Sequence, residues 1–462
     1  MTEAFSAAPA HAGATGAPPP ARLAAVPAEA WLCLVVSPRG APRPPGGWEG
    51  PLRRPDHLAA RLDDPAATAV LLAPTDRGAG LASLAPVVET LEGARRGFVA
   101  LVPRREPPAD DYRFDGAVGS FACSGRLLLP YVDELLGHPD GLCYRTLGRL
   151  IVGAPGPDRL LARQIPLSAP HAASLPKPPP RRHPVGEAAV LLPHLGPAHL
   201  LTGALRTLAR VWGGPRVLVG LDSRDVSAYR PLVGRDRRVE FFRSEPAPLG
   251  PYAVRHALAL RAAEPHLLFQ DSDDASCSDR LAALLRAARE AGAAMVGSHE
   301  LRLDELTRRV TATRFPLDAR AATRARPHHA LLLPTALIRR DAYFEVGGFS
   351  TDRAFASDTQ FVFRSSLSLE MRNVDEFLYV RRRREGSLTT SPATGLGTPA
   401  RAALLDAWTR DYRAVADGAL PLERSSLRAS ERPTPYRLVA LRAARPRAEG
   451  ASARRGRSRP PE

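Results

Sequence analysis

Short apolar runs alternate with amphipathic stretches along most of the 462-residue chain. In the first part, WLCLVVS (31–37), TAVLLAP (68–74) and GFVALVP (97–103) have the length and β-branched character of buried strands. Between the last two, LASLAPVVETLEG has helical spacing. After residue 187 the alternation becomes regular. Strand-like runs at 188–193, 216–221, 239–242, 266–270 and 293–298 are separated mostly by amphipathic segments such as AHLLTGALRTLARVW and YAVRHALALRAAE. Apolar strands divided by helices predict a doubly wound, mostly parallel α/β sheet here, and a smaller α/β module with a partly parallel sheet before it.

Breaks in the pattern set the expected boundaries. LPKPPPRRHPVG (175–186) carries five prolines and a glycine, which excludes regular structure and predicts a linker. The expected organisation starts with a disordered lead-in over 1–30 and an accessory module over 31–174. After the linker come the main α/β domain over 187–395, a C-terminal helical extension over 396–445 and a basic disordered tail over 446–462.

In a doubly wound sheet, ligands bind beyond the carboxyl ends of the strands. One such end reads HLLFQDSDDASCSDRLAALLRAA, where Asp271, Asp273 and Asp274 follow the run 266–270 directly. Ser278 is expected to cap the next helix, whose Leu281, Leu284, Leu285 and Ala288 recur at i, i+3, i+4 and i+7. Two carboxylates one residue apart at a strand mouth can hold a divalent cation together, and Mg²⁺ takes such oxygens in combination with substrate phosphates. Taken alone, the cluster also reads as a polar strand-to-helix turn with Asp274 complementing the helix N-terminus.

Further motifs accompany it in order. GPYAVRHALALRAAEPHLLFQDSDD, FEVGGFSTDRAFASDTQFVFRSS and NVDEFLYVRRRREGSLTT, with AVLLPHL at the start of the domain, span residues 187 to about 395. In order and spacing they resemble the inverting family 2 glycosyltransferases of the GT-A fold. The resemblance implies transfer of a sugar from a nucleoside-diphosphate sugar to an acceptor hydroxyl, with Mn²⁺ or Mg²⁺ as cofactor, in bacterial polysaccharide or glycoconjugate synthesis. It implies that Asp273 ligates the metal, that Asp271 contacts ribose or metal, and that Asp274 supports them. Asp358 in FASDTQF matches the family's base, and a single displacement needs one such carboxylate to take the acceptor proton.

By the same resemblance Pro193, Asp222, Arg255, Gly347 and Gly348 belong to the nucleotide-sugar pocket, with Asp225 a rival to Asp222 and His194 beside Pro193. Three positions depart from the family pattern: His256 stands where asparagine is usual, GLDSRD lacks paired acids, and the loop after Arg384 lacks a histidine. Arg364 is expected to be structural. The run Arg381–Arg384 reads either as a clamp for the diphosphate or as a solvated basic stretch.

The formal charge of +16 suggests a polyanion partner, but Lys177 is the only lysine. Enrichment in Arg, Ala and Pro follows from a GC-biased codon supply without selection for polyanion binding. No RNP-type aromatic motif, zinc knuckle or helix-turn-helix accompanies the charge, so no nucleic acid is expected. The tail RAARPRAEGASARRGRSRPPE offers peripheral contact with an anionic membrane. Four cysteines without CxxC spacing indicate neither a disulfide framework nor a structural zinc site. With no long apolar run, the expected location is cytoplasmic, at most peripheral to the inner face of the membrane.

Two other functions share the acidic cluster. A sugar nucleotidyltransferase would need a glycine-rich basic signature after its first strand, which LLPHLGPAHLLTG supplies poorly. A non-catalytic nucleotide-sugar-binding scaffold has no need of Asp271, Asp273 and Asp358 together. The motifs do not encode the donor sugar, the acceptor or the oligomeric state.

Overall fold

The computed structural model describes residues 186–442 without a break. Before them it describes 32–36, 48–51, 68–73, 94–104, 112–128, 141–153 and 155–165, with positions 84, 87, 90 and 91. The expected lead-in, most of the helix expected over 81–93, the proline-rich linker apart from Gly186, and the basic tail lie outside the described residues.

The first part forms strands β1 (Leu32–Val36), β2 (Trp48–Pro51), β3 (Thr68–Leu72), β4 (Gly97–Pro103), β5 (Arg113–Ala117) and β6 (Phe121–Ser124), then helix α1 (Leu142–Val152) and strand β7 (Arg159–Ile165). Its sheet runs β2-β1-β3-β6-β4-β7. Only the β4–β7 pair is parallel, so the partly parallel sheet expected here is mostly antiparallel.

The second part begins with β8 (Ala188–His194), α2 (Ala198–Leu208), β9 (Arg216–Leu221), β10 (Val239–Glu245), α3 (Pro251–Arg261) and β11 (His266–Phe269). It continues through β12 (Ala275–Ser276), α4 (Arg280–Ala291), β13 (Met295–Asp304), β14 (Arg309–Arg314), α5 (Ala319–Ala325), β15 (Leu337–Arg339), α6 (Arg340–Glu345), α7 (Ser357–Ser368) and β16 (Met371–Arg383). Helix α8 (Pro399–Ala416) and strand β17 (Arg437–Leu441) complete it. The sheet order is β12-β16-β13-β15-β11-β8-β9-β10-β17.

This is the doubly wound α/β sheet expected from the apolar runs, but it is mixed rather than mostly parallel: β10, β9, β8 and β11 and the pair β13–β16 run parallel, while β5, β12, β14, β15 and β17 join antiparallel. Strands β10, β9, β8 and β11 are parallel neighbours, and the short β15 runs antiparallel between β11 and β13. Alternate residues of β8 serve the two faces: Ala189 and Leu191 pack with α3, α6 and α7, while Ala188, Val190 and Leu192 pack with α2 and α4. The strand order reverses at β8 and β11, so His194 and the residues after Phe269 meet at the switch point, where this architecture places ligands.

Two expectations need correction. The extension over 396–445 is not wholly helical, because after α8 the segment RLVAL adds β17 antiparallel to β10, with Leu438 buried. The open edge of β10 offered backbone partners that a helix would not have used. Ser278 does not cap α4. Its hydroxyl accepts from Leu160 N at 3.1 Å and its own N–H donates to Leu160 O at 2.8 Å, tying the turn to β7. Asp279 occupies the cap position, but its carboxylate turns to Arg163 at 2.7 Å.

The accessory module is built onto the main domain. Strand β5 pairs antiparallel with β14, and one apolar cluster joins Phe98, Phe121 and Leu147 to Ala275, Leu301 and Phe377. Buried Arg314 fastens the junction. It pairs with Asp115 and donates to Gln164 Oε1 at 2.8 Å, Asp375 Oδ1 at 3.2 Å and Pro103 O at 3.2 Å. Arg314→Leu removes one of the two guanidiniums that hold the Asp115 carboxylate, 4% exposed, and leaves only the more exposed Arg113 at 2.9 Å. The expected loss is about 1.5–3 kcal/mol of stability, from the buried acceptors that lose their charged donor. Chemical denaturation, with limited proteolysis to see whether the N-terminal part is released first, measures it.

Candidate active site

The chain leaves β11 through Gln270 and turns at Asp271–Asp274. Beneath the turn lies Arg280, fully buried in the first turn of α4. Its guanidinium donates to Phe269 O at 2.7 Å, Gln270 Oε1 at 2.7 Å, Ser276 Oγ at 2.8 Å and Pro334 O at 2.6 Å, and lies 4.7 Å from the Tyr379 ring. Burial lowers its pKa to about 10, so it stays charged at neutral pH.

The three acids divide by what holds them. Asp274 is buried, accepting from Tyr379 Oη at 2.7 Å and from Arg382 N at 2.8 Å. Tyr379 Oη also accepts from Asp271 N at 3.1 Å, so one phenol fixes both ends of the turn. Burial, with Asp273 and Asp271 adding, raises Asp274 well above the usual carboxylate range, while these hydrogen bonds oppose the rise. Its place is the supporting one the resemblance implied, bracing the turn against β16.

Asp271 and Asp273 open to the cleft, with 36% and 20% of their side chains exposed. Asp271 pairs with Arg255, which is buried on α3; Asp273 accepts from Arg384 Nε at 2.8 Å. The surrounding protein raises the pKa of Asp271, with Arg255 opposing and Asp273 adding. His194, buried at the end of β8, hydrogen-bonds Ser272 Oγ at 2.8 Å and Gly196 O at 3.1 Å. Burial lowers it to about 4, which makes it a neutral brace for the same turn.

Asp358 stands in the first turn of α7, half-buried. The preceding Ala356 has φ 64°, a left-handed conformation that costs a non-glycine residue about 1–2 kcal/mol. Asp358 Oδ1 is a buried oxygen without a hydrogen-bond partner among the described residues. Two neighbours escaped the sequence reading. Burial raises the Tyr252 phenol well above its ordinary range, Asp358 raises it further and Arg255 opposes, with Asp271 also contributing. His329 hydrogen-bonds Thr359 Oγ1 at 3.3 Å; its ring is exposed to the cleft, and the mass of protein around it lowers its pKa against the pull of Asp358. Tyr252 lies within GPYAVRHALALRAAEPHLLFQDSDD but at none of the positions matched there, and His329 lies outside the quoted motifs.

The remaining predicted residues lie behind the mouth. Asp222, read as a nucleotide contact, is buried and accepts from Ser244 Oγ, Leu249 N and Gly250 N, each at 2.7 Å. Its carboxylate holds the loop that enters α3. Its rival Asp225 lies on the surface and caps Ser227 N at 2.8 Å. Pro193 is buried in β8 opposite Gly220.

Gly347 and Gly348 form the turn after α6 with φ of 81° and 63°. Arg364 holds that turn, donating to Val346 O at 2.6 Å, to Gly348 O and to Leu427 O at 2.7 Å, as its structural reading implied. His256, in the place of the usual asparagine, hydrogen-bonds Tyr343 Oη at 2.9 Å. A Cβ on Gly348 would stand 2.7 Å from His256 Nδ1 and 3.0 Å from Tyr343 Oη.

The run Arg381–Arg384 is not a solvated stretch of equivalent charges. Arg382 pairs with Glu305, Arg383 with Asp304 at 2.8 Å and Arg384 with Asp273. Arg381 lies 3.7 Å from Glu300 and within electrostatic reach of Asp271 and Asp274. As a cation seat, Asp271 and Asp273 fit an ion that substrate phosphates would complete. Among the described residues no group of three or more His, Cys, Asp or Glu could hold a metal unaided.

Gly348→Ala combines left-handed strain with a clash against His256. The expected cost is about 2–4 kcal/mol. A lowered thermal midpoint checks it, and His256→Ala in the same chain should recover the part due to the clash.

Among the described residues no helix is long and apolar enough to cross a membrane. No family model and no curated protein matches the chain. Solved structures similar to it include residues 1–349 of S. aureus TarS in complex with UDP-GlcNAc, at 17% identity and a TM-score of 0.39, over 50% of this chain and 73% of that one. The same TarS piece in complex with UDP is similar at 16% identity and a TM-score of 0.37, over 50% of this chain and 72% of that one.

Proposed function

We propose that the chain is a glycosyltransferase that moves a sugar from a nucleoside-diphosphate sugar to an acceptor hydroxyl by single displacement with inversion. One observation carries this reading. The Arg255 guanidinium, paired with Asp271 at the mouth of the sheet, lies 6.0 Å from the Tyr252 ring, and the Asp358 carboxylate at the start of α7 acts on the same phenol. This supports a donor-side acid held by arginine and a separately held carboxylate acting about one phenol.

Each residue has a defined task in this reading. Asp358 takes the proton of the attacking hydroxyl through Oδ1, the oxygen left without a partner. Arg255 fixes Asp271 toward ribose or phosphate, and the Tyr379 hydrogen bonds hold the turn still while charge develops on the leaving diphosphate. Arg384, which neutralises Asp273, stands where a guanidinium can pass to a phosphate in bidentate fashion. Asp273 and Asp271 would hold Mg²⁺ or Mn²⁺, which supplies neutralisation of the departing phosphates. Gly348 and Arg364 act at a distance, by shaping the turn that leads into α7.

Asp358→Asn is expected to lower transfer by about 10²–10⁴-fold with nucleotide affinity unchanged, since the base touches only the acceptor. Transfer at the wild-type rate would remove Asp358 from this role. Calorimetry with UDP, GDP, dTDP and CDP is expected to show binding of at least one diphosphate that strengthens with Mn²⁺ or Mg²⁺ and loses that metal response in Asp273→Asn. No metal-dependent binding of any of the four would overturn the cation seat.

A further inference from the structure

Beyond the acid cluster the paired strands β13 and β16 carry a second set of charges. They run parallel with Glu300 opposite Tyr379, Arg302 opposite Arg381 and Asp304 opposite Arg383, so all six side chains share one face. The acids form its floor. Glu300 is fully buried and takes Arg302 at 2.7 Å and Arg381 at 3.7 Å, and Asp304, 9% exposed, takes Arg383 at 2.8 Å. The guanidiniums lie above them, with side-chain exposures of 20% for Arg302, 21% for Arg381 and 44% for Arg383. Three positive groups over two negative ones leave an excess of charge on the open side.

That open side is a cavity of about 570 Å³, half open to solvent and bounded opposite the strands by Thr389–Pro392 and Gly395–Pro399. All three arginines line it, whereas Glu300 and Asp304 do not. Its roof adds hydroxyls from Thr389 and Ser391 and the start of α8, where the Thr398 Oγ1 is buried without a partner among the described residues. The accessory module stands beside one of the lining arginines. Phe114, 58% exposed, lies 4.9 Å from the Arg302 guanidinium and edge-on to Tyr112, so an apolar ring stands next to the charge. Arg384, the residue just after β16, turns instead to Asp273, so the basic run divides between the donor acids and this cavity.

We propose that this cavity is an acceptor subsite for an anionic glycan, one carrying carboxylate or phosphate groups. Planar guanidiniums in a row bind such groups bidentately, and Phe114 offers a face to a sugar ring beside them. The cavity adjoins the acid turn, since Arg382, between the lining residues Arg381 and Arg383, donates its N–H to Asp274 at 2.8 Å. An acceptor held here would extend from the basic cavity toward Asp358. The proposal rests on the glycosyltransferase reading, and its test can fail separately.

The full chain is titrated by fluorescence anisotropy with a labelled oligogalacturonate, a labelled polyphosphate and a labelled neutral malto-oligosaccharide, with UDP binding measured on the same samples. At least one anionic probe is expected to bind, the stronger of the two identifying carboxylate or phosphate, with the neutral probe much weaker. Arg383→Ala should weaken the bound probe about tenfold, the value of one charge-assisted contact. Leu396→Asp, on a cavity residue 68% exposed, alters no ion pair and should weaken it as well by placing a negative charge at the entrance. Excess UDP should leave the probe bound. The subsite is overturned if neither anionic probe binds, if both variants bind as wild type, if the neutral probe binds equally, or if UDP displaces the anion. Anion binding without any nucleotide binding would overturn the glycosyltransferase reading and keep the basic cavity; nucleotide binding without anion binding would do the reverse.

Discussion

The hydrogen bond from Tyr379 to the buried carboxylate of Asp274 is the contact on which the site depends. A carboxylate taken out of water is costly unless its oxygens are satisfied, and here a phenol and the Arg382 amide satisfy them. The same phenol accepts from Asp271 N, so the strand-end turn is clamped to β16 at two points. Everything downstream inherits that register. Because β16 is pinned at Tyr379 and Arg382, Arg381 faces the cleft and Arg384 reaches Asp273. The cleft acids and the arginines around them are two ends of one clamp.

A second regularity is the use of arginine as an internal fastener. Arg280 sits under the acid turn, Arg364 gathers three carbonyls around the glycine turn, Arg255 holds Asp271, and Arg314 joins the accessory module to the main domain. A planar guanidinium with five donors can satisfy several carbonyls at once, which an ammonium on a flexible stem does less well. With a single lysine, this chain makes its buried polar junctions almost entirely from arginine. Part of the +16 charge is therefore bound up in the interior. Composition could not separate that part from the arginines of the basic cavity, because the distinction depends on which acids lie beneath them.

The strands that were legible from the sequence are those buried on both faces. Runs such as RVLVGL and GFVALVP need only apolar neighbours, so they announce themselves. Strands β14 and β16, with sequences RVTATR and MRNVDEFLYVRRR, were not legible. Their polar residues are buried against partners far away in sequence, as Tyr379 is against Asp274. Asp271, Asp273 and Asp358 could be named because motif spacing singles them out. Tyr252, His329 and Arg280 could not, since each matters only through what the fold brings to it. Asp222 shows the converse: a strand-end position draws attention to an acid, but only the fold reveals that its carboxylate turns back to hold the loop before α3.

The junction between the two parts follows from the same economy of polar contacts. The sequence suggests a separate module ahead of a proline-rich stretch, yet β5 continues the main sheet through β14 and their cores merge. That fusion places Tyr112 and Phe114 at the rim of the cleft, with Tyr112 stacked 6.0 Å from His328, the neighbour of His329. Two exposed rings would be a liability on an independent module, since apolar surface in water invites association. On a wall shared with Arg302 they become part of a concave surface of mixed apolar and basic character. The pairing of β5 with β14 fixes them there, so the N-terminal part sets its rings against Arg302 and His328 of the main domain.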